Sequence, residues 1–330
     1  MLVDVHAHGF SEPFVRRMAE TPGLGFPLQA TGPRSYHLPS YGTFDPLLYD
    51  LDARMGDLKR RGVTLQLISP SPSIISNGPK VVSLEETRAL NESTAWMVAH
   101  GEGRLAGLAV PALGAPELAA EELRRAVGQH GFVGVVLSTS AGPRPLDDPA
   151  FEPLFAEIEK LDLMIFMHST SSALSATQTE YTLRTLVAWP TETTVAVTRL
   201  IFSGVLERHP RLKLVLSHGG GTLPMLAGRL DLGWSAPQYE ANPACRANIT
   251  RAPSTYLKDL YYDTVVAGSG ALAFLVDAYG ADHVLFGTDF PYEIGDAEGA
   301  LALPTLQGMP ASDREKILSG NALRLMRREA

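Results

Sequence analysis

Five side chains that can bind a metal or move a proton lie at or just past the ends of short apolar runs. They are His6, His8, His168, His218 and Asp289. His6 and His8 are two residues apart, so on a strand their side chains point to the same side and could chelate one ion. A single buried histidine is more often a hydrogen-bonded core residue, but several buried imidazoles cost desolvation energy unless a shared partner satisfies them. The pattern therefore predicts a metal site.

The donor atoms at this predicted site indicate which ion would bind. Imidazole nitrogens with a carboxylate oxygen suit Zn²⁺ at about 2.0–2.2 Å, with one coordination position left for water as in catalytic zinc sites. Mn²⁺, Fe²⁺ and Co²⁺ accept the same ligand types, so the donor set discriminates weakly among them. The sequence predicts one divalent metal, with zinc favoured and the three other ions left open.

The apolar runs that would position these side chains alternate with helical patterns along the chain. Their hydrophobicity is continuous, which is typical of strands buried on both faces in a parallel sheet. The predicted strands are Leu2–Val5, Thr64–Ile68, Leu105–Val110, Val133–Leu137, Met164–Met167, Leu212–Leu216, Leu260–Asp263 and Val284–Phe286. Eight such units predict an α/β fold, a single (β/α)8 TIM-barrel domain over residues 1–330 rather than an open sheet. The C-terminal strand ends of a barrel meet at one mouth, which would bring the five side chains together.

Helix starts are readable at three places between these strands. Ser83 with Glu86, and Ser312 with Glu315, have the spacing of a capping box. Pro116 opens a segment whose apolar residues recur on one helical face. We therefore expect helices to begin at or next to these positions.

Residues 10–50 do not fit the repeating unit. They are rich in proline and have little periodicity, so we expect a long loop excursion after the first strand, near the active-site mouth. Such a segment could act as a lid, as a wall of the substrate pocket or as a subunit contact.

Charge and composition exclude several other classes of protein. The formal net charge of −8 disfavours nucleic acid as a partner, because the chain has no basic stripe to offset repulsion from phosphate. The single cysteine, Cys245, excludes an intrachain disulfide. No secretory signal is visible and no apolar run approaches ~18 residues, so we expect a cytoplasmic protein that does not engage a membrane.

The motifs around the candidate ligands resemble those of a known superfamily. The chain starts with Asp-x-His-x-His (4–8), has Ser-His-Gly-Gly-Gly at 217–221 and Gly-Thr-Asp-Phe-Pro at 287–291, and so resembles the amidohydrolase superfamily. Leu-Val-Ala-Trp-Pro-Thr-Glu-Thr-Thr (186–194) and Ser-Gly-Asn-Ala (319–322) look like the aminocarboxymuconate-semialdehyde decarboxylase branch of amidohydrolase family 2. The similarity runs through nearly the whole chain.

This resemblance implies a role for each candidate residue at the metal. The ligands would be His6, His8, His168 and Asp289. His218 would be the general base that acts on a metal-bound water, with Asp289 as the second catalytic residue. Binuclear members of the superfamily bridge two ions with a carboxylated lysine on strand four, and Val135–Thr139 contains no lysine, which implies one ion.

The resemblance also implies substrate contacts and an oligomeric state. Arg229 matches an arginine that reaches a substrate carboxylate across a dimer interface, so we expect a homodimer. The alternative is that Arg229 forms a surface salt bridge with Asp231 or is a charge at a helix end. His37 replaces a second carboxylate-binding arginine of the branch, and Phe290 is a candidate for packing against a planar substrate.

Changes in the predicted pocket leave the reaction open between two classes. Ser169-Thr170 stand where the branch has Pro-Trp, and Thr185 stands at an aromatic position. The main prediction is non-oxidative decarboxylation of an aromatic or unsaturated, muconate-like acid. The alternative is a hydrolase or hydratase that uses the same metal and the same His218 on a lactone, amide or conjugated acid. A barrel that binds metal without catalysis is the third possibility.

Overall fold

Eight short strands form one sheet in which every strand is parallel to its neighbours. The structure, a computed structural model, describes residues 1–21, 28–38, 42–77, 80–170, 175, 177–236 and 243–328. The strands follow the chain order around the sheet. They are β1 Val3–His8, β2 Leu65–Ser69, β3 Leu105–Ala109, β4 Gly134–Ser138, β5 Met164–His168, β6 Lys213–Leu216, β7 Tyr261–Asp263 and β8 Val284–Leu285. Each lies within two or three residues of a predicted strand.

Backbone hydrogen bonds connect the last strand to the first. The amide of Val5 donates to the carbonyl of Phe286 at 3.0 Å, and that of His8 donates to Phe290 at 2.8 Å. Ala7 and Phe290 form a parallel bridge. The sheet is thus an almost closed barrel, which confirms the predicted fold class.

Helices connect the strands and cover the outside of the barrel. Their bounds are α1 Glu12–Glu20, α2 Leu51–Arg61, α3 Pro72–Ile75, α4 Leu84–His100, α5 Pro116–His130, α6 Glu152–Lys160, α7 Trp189–Phe202, α8 Val205–Arg208, α9 Leu223–Ser235, α10 Pro253–Leu257, α11 Ser269–Tyr279, α12 Ala302–Gln307, α13 Ala311–Glu315 and α14 Asn321–Met326. One turn of π-helix precedes α7 at Arg184–Ala188, and another precedes α14 at Lys316–Gly320.

All three predicted helix starts are confirmed to within one residue, but only one of the two predicted capping boxes forms. The Ser83 hydroxyl accepts from the Glu86 amide at 3.2 Å while the Glu86 carboxylate accepts from the Ser83 amide at 2.7 Å, which is the complete capping box of α4. α5 begins at Pro116. The box predicted at Ser312 is wrong, because Pro310 takes the N-cap position and places Ser312 inside the first turn of α13.

The excursion after β1 is more ordered than its sequence suggests. It contains α1, a three-stranded antiparallel sheet (Gln29–Gly32, Ser35–Leu38, Gly42–Thr43) and a 3-10 turn at Pro46–Leu48. Arg34 joins its two ends through ion pairs with Glu12 at 3.0 Å and Asp50 at 3.1 Å. The sequence does not reveal this order. The segment is rich in proline, its aromatic residues are scattered, and its elements are held by packing against one another, which leaves no periodicity in the sequence.

Side chains alternate along the strands between the barrel interior and the helices. On β5, Ile165 and Met167 pack in the core that includes Leu200 of α7. Phe166 points the other way, and its ring centroid lies 4.8 Å from that of His6. His168 shares this interior face by its spacing of two residues. Among the described residues, no helix combines the length and the apolar character needed to span a bilayer.

Candidate metal centre and active site

Three imidazoles and one carboxylate meet at the C-terminal ends of β1, β5 and β8. One potential ligand atom from each of His6, His8, His168 and Asp289 lies within 4.8 Å of all the others, and all four residues are buried. Asp289 Oδ1 is 3.0 Å from His6 Nε2, 3.1 Å from His8 Nε2 and 3.9 Å from His168 Nε2. These are the four residues that the resemblance implies as ligands, and together they form a site for a divalent metal.

The outer ring nitrogens of the three histidines face acceptors away from the cluster. Nδ1 of His6 is 2.6 Å from Asp263 Oδ2, and Nδ1 of His168 is 2.8 Å from the carbonyl of Ser169. Nδ1 of His8 lies 3.4 Å from the Ser69 hydroxyl. These contacts favour the tautomer that turns the Nε2 lone pair toward the shared centre.

The inner nitrogens are those that a cation would satisfy. Nε2 of His6 and of His168 are buried and make no hydrogen bond within the described part of the chain. Buried polar atoms without a partner are rare in proteins, and three imidazole nitrogens with one carboxylate oxygen are a donor set typical of Zn²⁺, Mn²⁺ or Fe²⁺. The residues present therefore fit one divalent ion.

Three of the four residues of the cluster have a pKa shift that favours the form that binds a cation. Burial would raise the pKa of Asp289, but His6, His168 and His218 beside it hold that pKa well below its ordinary value. Burial lowers the pKa of His168 to about 3, and it lowers the pKa of His8 as well. Burial would also lower the pKa of His6, but Asp289 and Asp263 outweigh burial and raise it to about 10. An ionised carboxylate and neutral imidazoles are the forms that ligate metals, so His6 must lose a proton when an ion binds.

His218 stands at the edge of the cluster. Its Nε2 is 3.5 Å from Asp289 Oδ2, and its ring centroid is 4.9 Å from that of His168. The side chain is 16% exposed, whereas those of His6 and His8 are 0% and 1% exposed. An imidazole that touches the ligand set and still reaches the mouth of the barrel can exchange a proton with a bound molecule.

A match to a known family accords with this geometry. The amidohydrolase family model matches residues 3–328. The chain belongs to the amidohydrolase family. This confirms the relationship indicated by the strand-end motifs, and the match spans all eight strands of the barrel.

Decarboxylases are among the relatives of this amidohydrolase. The 2-amino-3-carboxymuconate-6-semialdehyde decarboxylase of Dictyostelium discoideum is 31% identical over 284 residues, which cover 86% of this chain and 78% of that protein. A gamma-resorcylate decarboxylase from a Rhizobium species is 29% identical over 294 residues, 84% of this chain and 86% of the relative.

A solved structure of similar fold contains a metal ion. It is a dihydroxybenzoic acid decarboxylase from Polaromonas sp. JS666 with bound manganese and the inhibitor 2-nitroresorcinol. It is 25% identical to this chain and has a TM-score of 0.77, with 99% of this chain and 96% of that chain covered.

Asp263 is part of the site, although the sequence analysis did not single it out. It ends β7, is fully buried and accepts from the Nδ1 of His6. The signal was available, because an aspartate at a strand end in a parallel barrel points at the same mouth as the ligands. Asp289 lies in the Gly-Thr-Asp-Phe-Pro motif that carries the resemblance, whereas the residues around Asp263 contribute no motif to it, so Asp263 was less conspicuous.

A second buried network lies beneath the two histidines of β1. Asp4 Oδ2 accepts from Gln66 Nε2 at 2.8 Å and from the Thr288 hydroxyl at 2.7 Å. Oε1 of the Gln66 side chain accepts from Nε and Nη2 of Arg54. Nη1 of Arg54 also donates to the backbone carbonyl of His8 at 2.7 Å. Because these bonds cross from α2 through β2 and β1 to the segment after β8, they fix the strands that carry His8 and Asp289.

The predicted substrate residues lie in three different settings. Arg229 is exposed on α9 and has no ion pair within the described ranges, including with Asp231. His37 is half-buried on the small sheet of the excursion. Phe290 is 2% exposed, and its ring packs beneath the guanidinium groups of Arg54 and Arg61. This position gives no support to a substrate contact for Phe290.

Two of the positions that depart from the related branch directly follow the strand-five ligand. Ser169 and Thr170 directly follow His168, are 1% and 0% exposed, and have hydroxyls with no hydrogen-bond partner in the residues that the structure covers. Thr185 is half-buried in the π-helical turn before α7. Two hydroxyl side chains thus supply hydrogen-bonding capacity at positions where the resemblance implies proline and tryptophan.

Proposed function

We propose that this amidohydrolase is a metal-dependent carboxy-lyase, a non-oxidative decarboxylase of an aromatic or muconate-like carboxylic acid. The observation that carries the proposal is that a complete ligand set lies beside a fourth imidazole, that of His218, whose Nε2 is 3.5 Å from Oδ2 of the ligand Asp289. The decarboxylases among its relatives support this reaction class.

The bound ion and the protein would divide the chemistry between them. A divalent metal held by His6, His8, His168 and Asp289 would supply Lewis acidity, which stabilises negative charge that develops on a substrate oxygen. The chain's own part is to orient the acid, to keep the buried side of the cluster dry and to move a proton at His218.

His218 is placed to hold that proton at Nε2. An imidazole nitrogen can take a proton and give it back, as general acid–base catalysis requires. Delivery of a proton to the carbon that bears the carboxylate interrupts the conjugation of the substrate. The bond to the carboxylate then breaks, its electron pair restores the conjugated system, and carbon dioxide leaves. The substrate thus exchanges its carboxyl group for a hydrogen.

Two residues are candidates for holding the substrate carboxylate. Arg229 would do so from the partner subunit of a homodimer, since an arginine fork matches a carboxylate better than a lysine does. Its helix supports this idea: Met225 and Leu232, four residues before and three after Arg229, are 74% and 68% exposed. These three residues share one helical face, and such exposed apolar faces mark protein–protein contacts. His37 would be the second contact.

The identity of the ion belongs to the same proposal. Zinc is our first choice from the donor set, and the manganese in the Polaromonas enzyme supports Mn²⁺ as the alternative. Metal analysis of protein purified without added metal, followed by reconstitution of the chelated protein with each ion, would decide between them.

The experiment that tests the reaction is incubation of metal-loaded protein with gamma-resorcylate, 2-amino-3-carboxymuconate-6-semialdehyde and related acids. Carbon dioxide and product mass are measured together, with chelator-treated protein as the control. We expect carbon dioxide and a product in which hydrogen replaces the carboxyl group. A product heavier by one water, without gas, would instead make the protein a hydrolase or hydratase.

A further inference from the structure

We propose that Asp263 is a positioning residue that fixes the metal ligand His6 and the proton-transferring His218 relative to each other. The inference rests on the proposed function, because the roles of His6 and His218 come from it. Asp263 itself would touch neither metal nor substrate.

The two oxygens of the Asp263 carboxylate contact two different elements. Oδ2 lies 2.6 Å from Nδ1 of His6 on β1. Oδ1 accepts from the backbone amide of Gly219 at 2.8 Å and from that of Val265 at 3.1 Å. The carboxylate is completely buried, so water does not compete for these bonds. One side chain therefore connects the first strand of the barrel to the turn after β6.

The turn that carries His218 needs such a connection. His218 has a φ of +53°, a left-handed conformation that is unfavourable for any residue with a Cβ. Gly219 follows at +59°, and a Cβ on it would lie 2.2 Å from Val266 Cγ1, so the turn presses directly against the segment after β7. The bond from the Gly219 amide to Asp263 holds the peptide that immediately follows the strained histidine.

Two effects of this arrangement can be separated. Through Oδ2, Asp263 keeps the proton of His6 on Nδ1, which leaves Nε2 for the ion and increases its basicity as a ligand. Through Oδ1, it fixes the backbone of His218 and thereby the 3.5 Å approach of the His218 ring to Asp289. A residue that only supported a ligand would influence metal binding and leave His218 where it is.

Two substitutions distinguish the effects. In Asp263→Asn, the amide oxygen can still accept from Gly219 and Val265, but the amide nitrogen cannot accept from His6. We expect Mn²⁺ and Zn²⁺ to bind about 10–100-fold more weakly, the usual result of losing an outer-shell partner, with kcat at saturating metal little changed. In Asp263→Ala, both connections are lost. We expect the same loss of metal affinity and, in addition, a fall of about 10–100-fold in kcat at saturating metal with little change in KM, because the catalytic imidazole is misplaced.

Readouts that need no activity keep this test separate from the proposed function. Metal affinity is measured by competition with a chelator, and the position of His218 is followed by the NMR signals of its imidazole in Zn²⁺-loaded protein. We expect these signals to shift in Asp263→Ala and to stay near their wild-type positions in Asp263→Asn. If no acid is decarboxylated, the proposed function fails, while both measurements still test Asp263.

The experiment includes a matched control variant, and specific results would contradict the proposed role of Asp263. Glu122→Gln also neutralises a buried carboxylate, but between α4 and α5, and should leave metal affinity and kcat at wild-type values. Asp263→Ser replaces the alanine variant if that variant does not fold. Wild-type metal affinity in Asp263→Asn would overturn the link to His6. Unchanged His218 signals and unchanged kcat in Asp263→Ala would overturn the link to the turn.

Discussion

At the metal centre, removal of a metal ligand should weaken metal binding more than removal of a residue that only hydrogen-bonds to a ligand. Asp289 is the carboxylate that all three ligand imidazoles face, at 3.0 to 3.9 Å. We expect Asp289→Ala, and likewise His168→Ala, to weaken metal binding by more than the about 10–100-fold typical of outer-shell changes. Activity should be lost with the metal. Metal content after dialysis, measured by mass spectrometry, checks this, and full occupancy in either variant would show that the ligand set is wrong.

Loss of the His218 imidazole should reduce turnover and leave metal binding intact. We expect His218→Ala to keep its metal but to lose about 10²–10⁴-fold in kcat, the usual range for removing a general acid–base group. His100→Ala is the control, since His100 lies at the end of α4 with its Nδ1 on the carbonyl of Trp96. Substantial turnover in metal-loaded His218→Ala would exclude His218 from the chemistry.

The sequence predicted the ligands because strand ends and residue types are both visible in it. The sequence could not predict which residues next to the ligands also face the mouth of the barrel. Asp289 and Phe290 are adjacent, yet Asp289 faces the cluster while Phe290 packs under Arg54 and Arg61. Their directions depend on the backbone after β8, where Asp289 has a φ of +58°. Asp263 was missed for a related reason, since its partner His6 is 257 residues away in the chain.

Among the elements, arginine–carboxylate pairs link successive helices around the barrel. Glu122 of α5 lies 2.9 Å from Arg88 of α4 and also pairs with Arg125. Glu157 of α6 lies 2.9 Å from Arg124 of α5. Burial would raise the pKa of Glu122, but hydrogen bonds from Arg125 and Arg88 outweigh burial and lower it. The ionised form of Glu122 is thus more favourable in the folded protein than in the unfolded chain.

This difference gives a pH-dependent contribution to stability. A carboxyl whose pKa is lowered by folding stabilises the protein above its unfolded pKa, near 4.5, and the contribution disappears as pH falls through the folded value. We expect Glu122→Gln to lower the free energy of unfolding by about 1–2 kcal/mol at pH 7, with the difference from wild type shrinking below pH ~4.5. Urea titrations from pH 3 to 7 would measure it. Glu121→Gln, on the exposed side of the same helix, is the control; equal effects of both changes would argue against the pairs.

Element prediction succeeded where the determining interactions are local. All eight strands were predicted because a continuous apolar run indicates a buried strand whatever it packs against. The capping box of α4 was predicted because it lies within four residues. The α1 helix and the small sheet at 29–43 were expected as a loop, because their order depends on packing and on the Arg34 ion pairs to Glu12 and Asp50. That residues 1–330 form a single domain stays a prediction.

At the scale of the whole molecule, five of the eleven exposed large hydrophobic residues in the described part of the chain lie on or next to two helices, α7 and α9. Met225 and Leu232 of α9, Val195 of α7, and Leu186 and Val187 before α7 are each about half exposed or more. α7 and α9 are neighbours in the fold. Because exposed apolar side chains on neighbouring elements are typical of protein–protein contacts, these residues favour the proposal of a contact with a second copy.

A mixing experiment tests whether that contact completes the active site. If Arg229 serves the neighbouring subunit, Arg229→Ala and His218→Ala should each be nearly inactive, yet a dimer formed from one of each has one complete site. Random mixing by co-expression should restore about a quarter of wild-type activity, because half of the dimers are mixed and each holds one intact site of two. Sedimentation tests independently whether the protein is a dimer. An activity no higher than the average of the two parent variants would place Arg229 in its own subunit or outside the site. Recovery that is abolished by Leu232→Glu in both variants would connect the apolar face of α9 to catalysis.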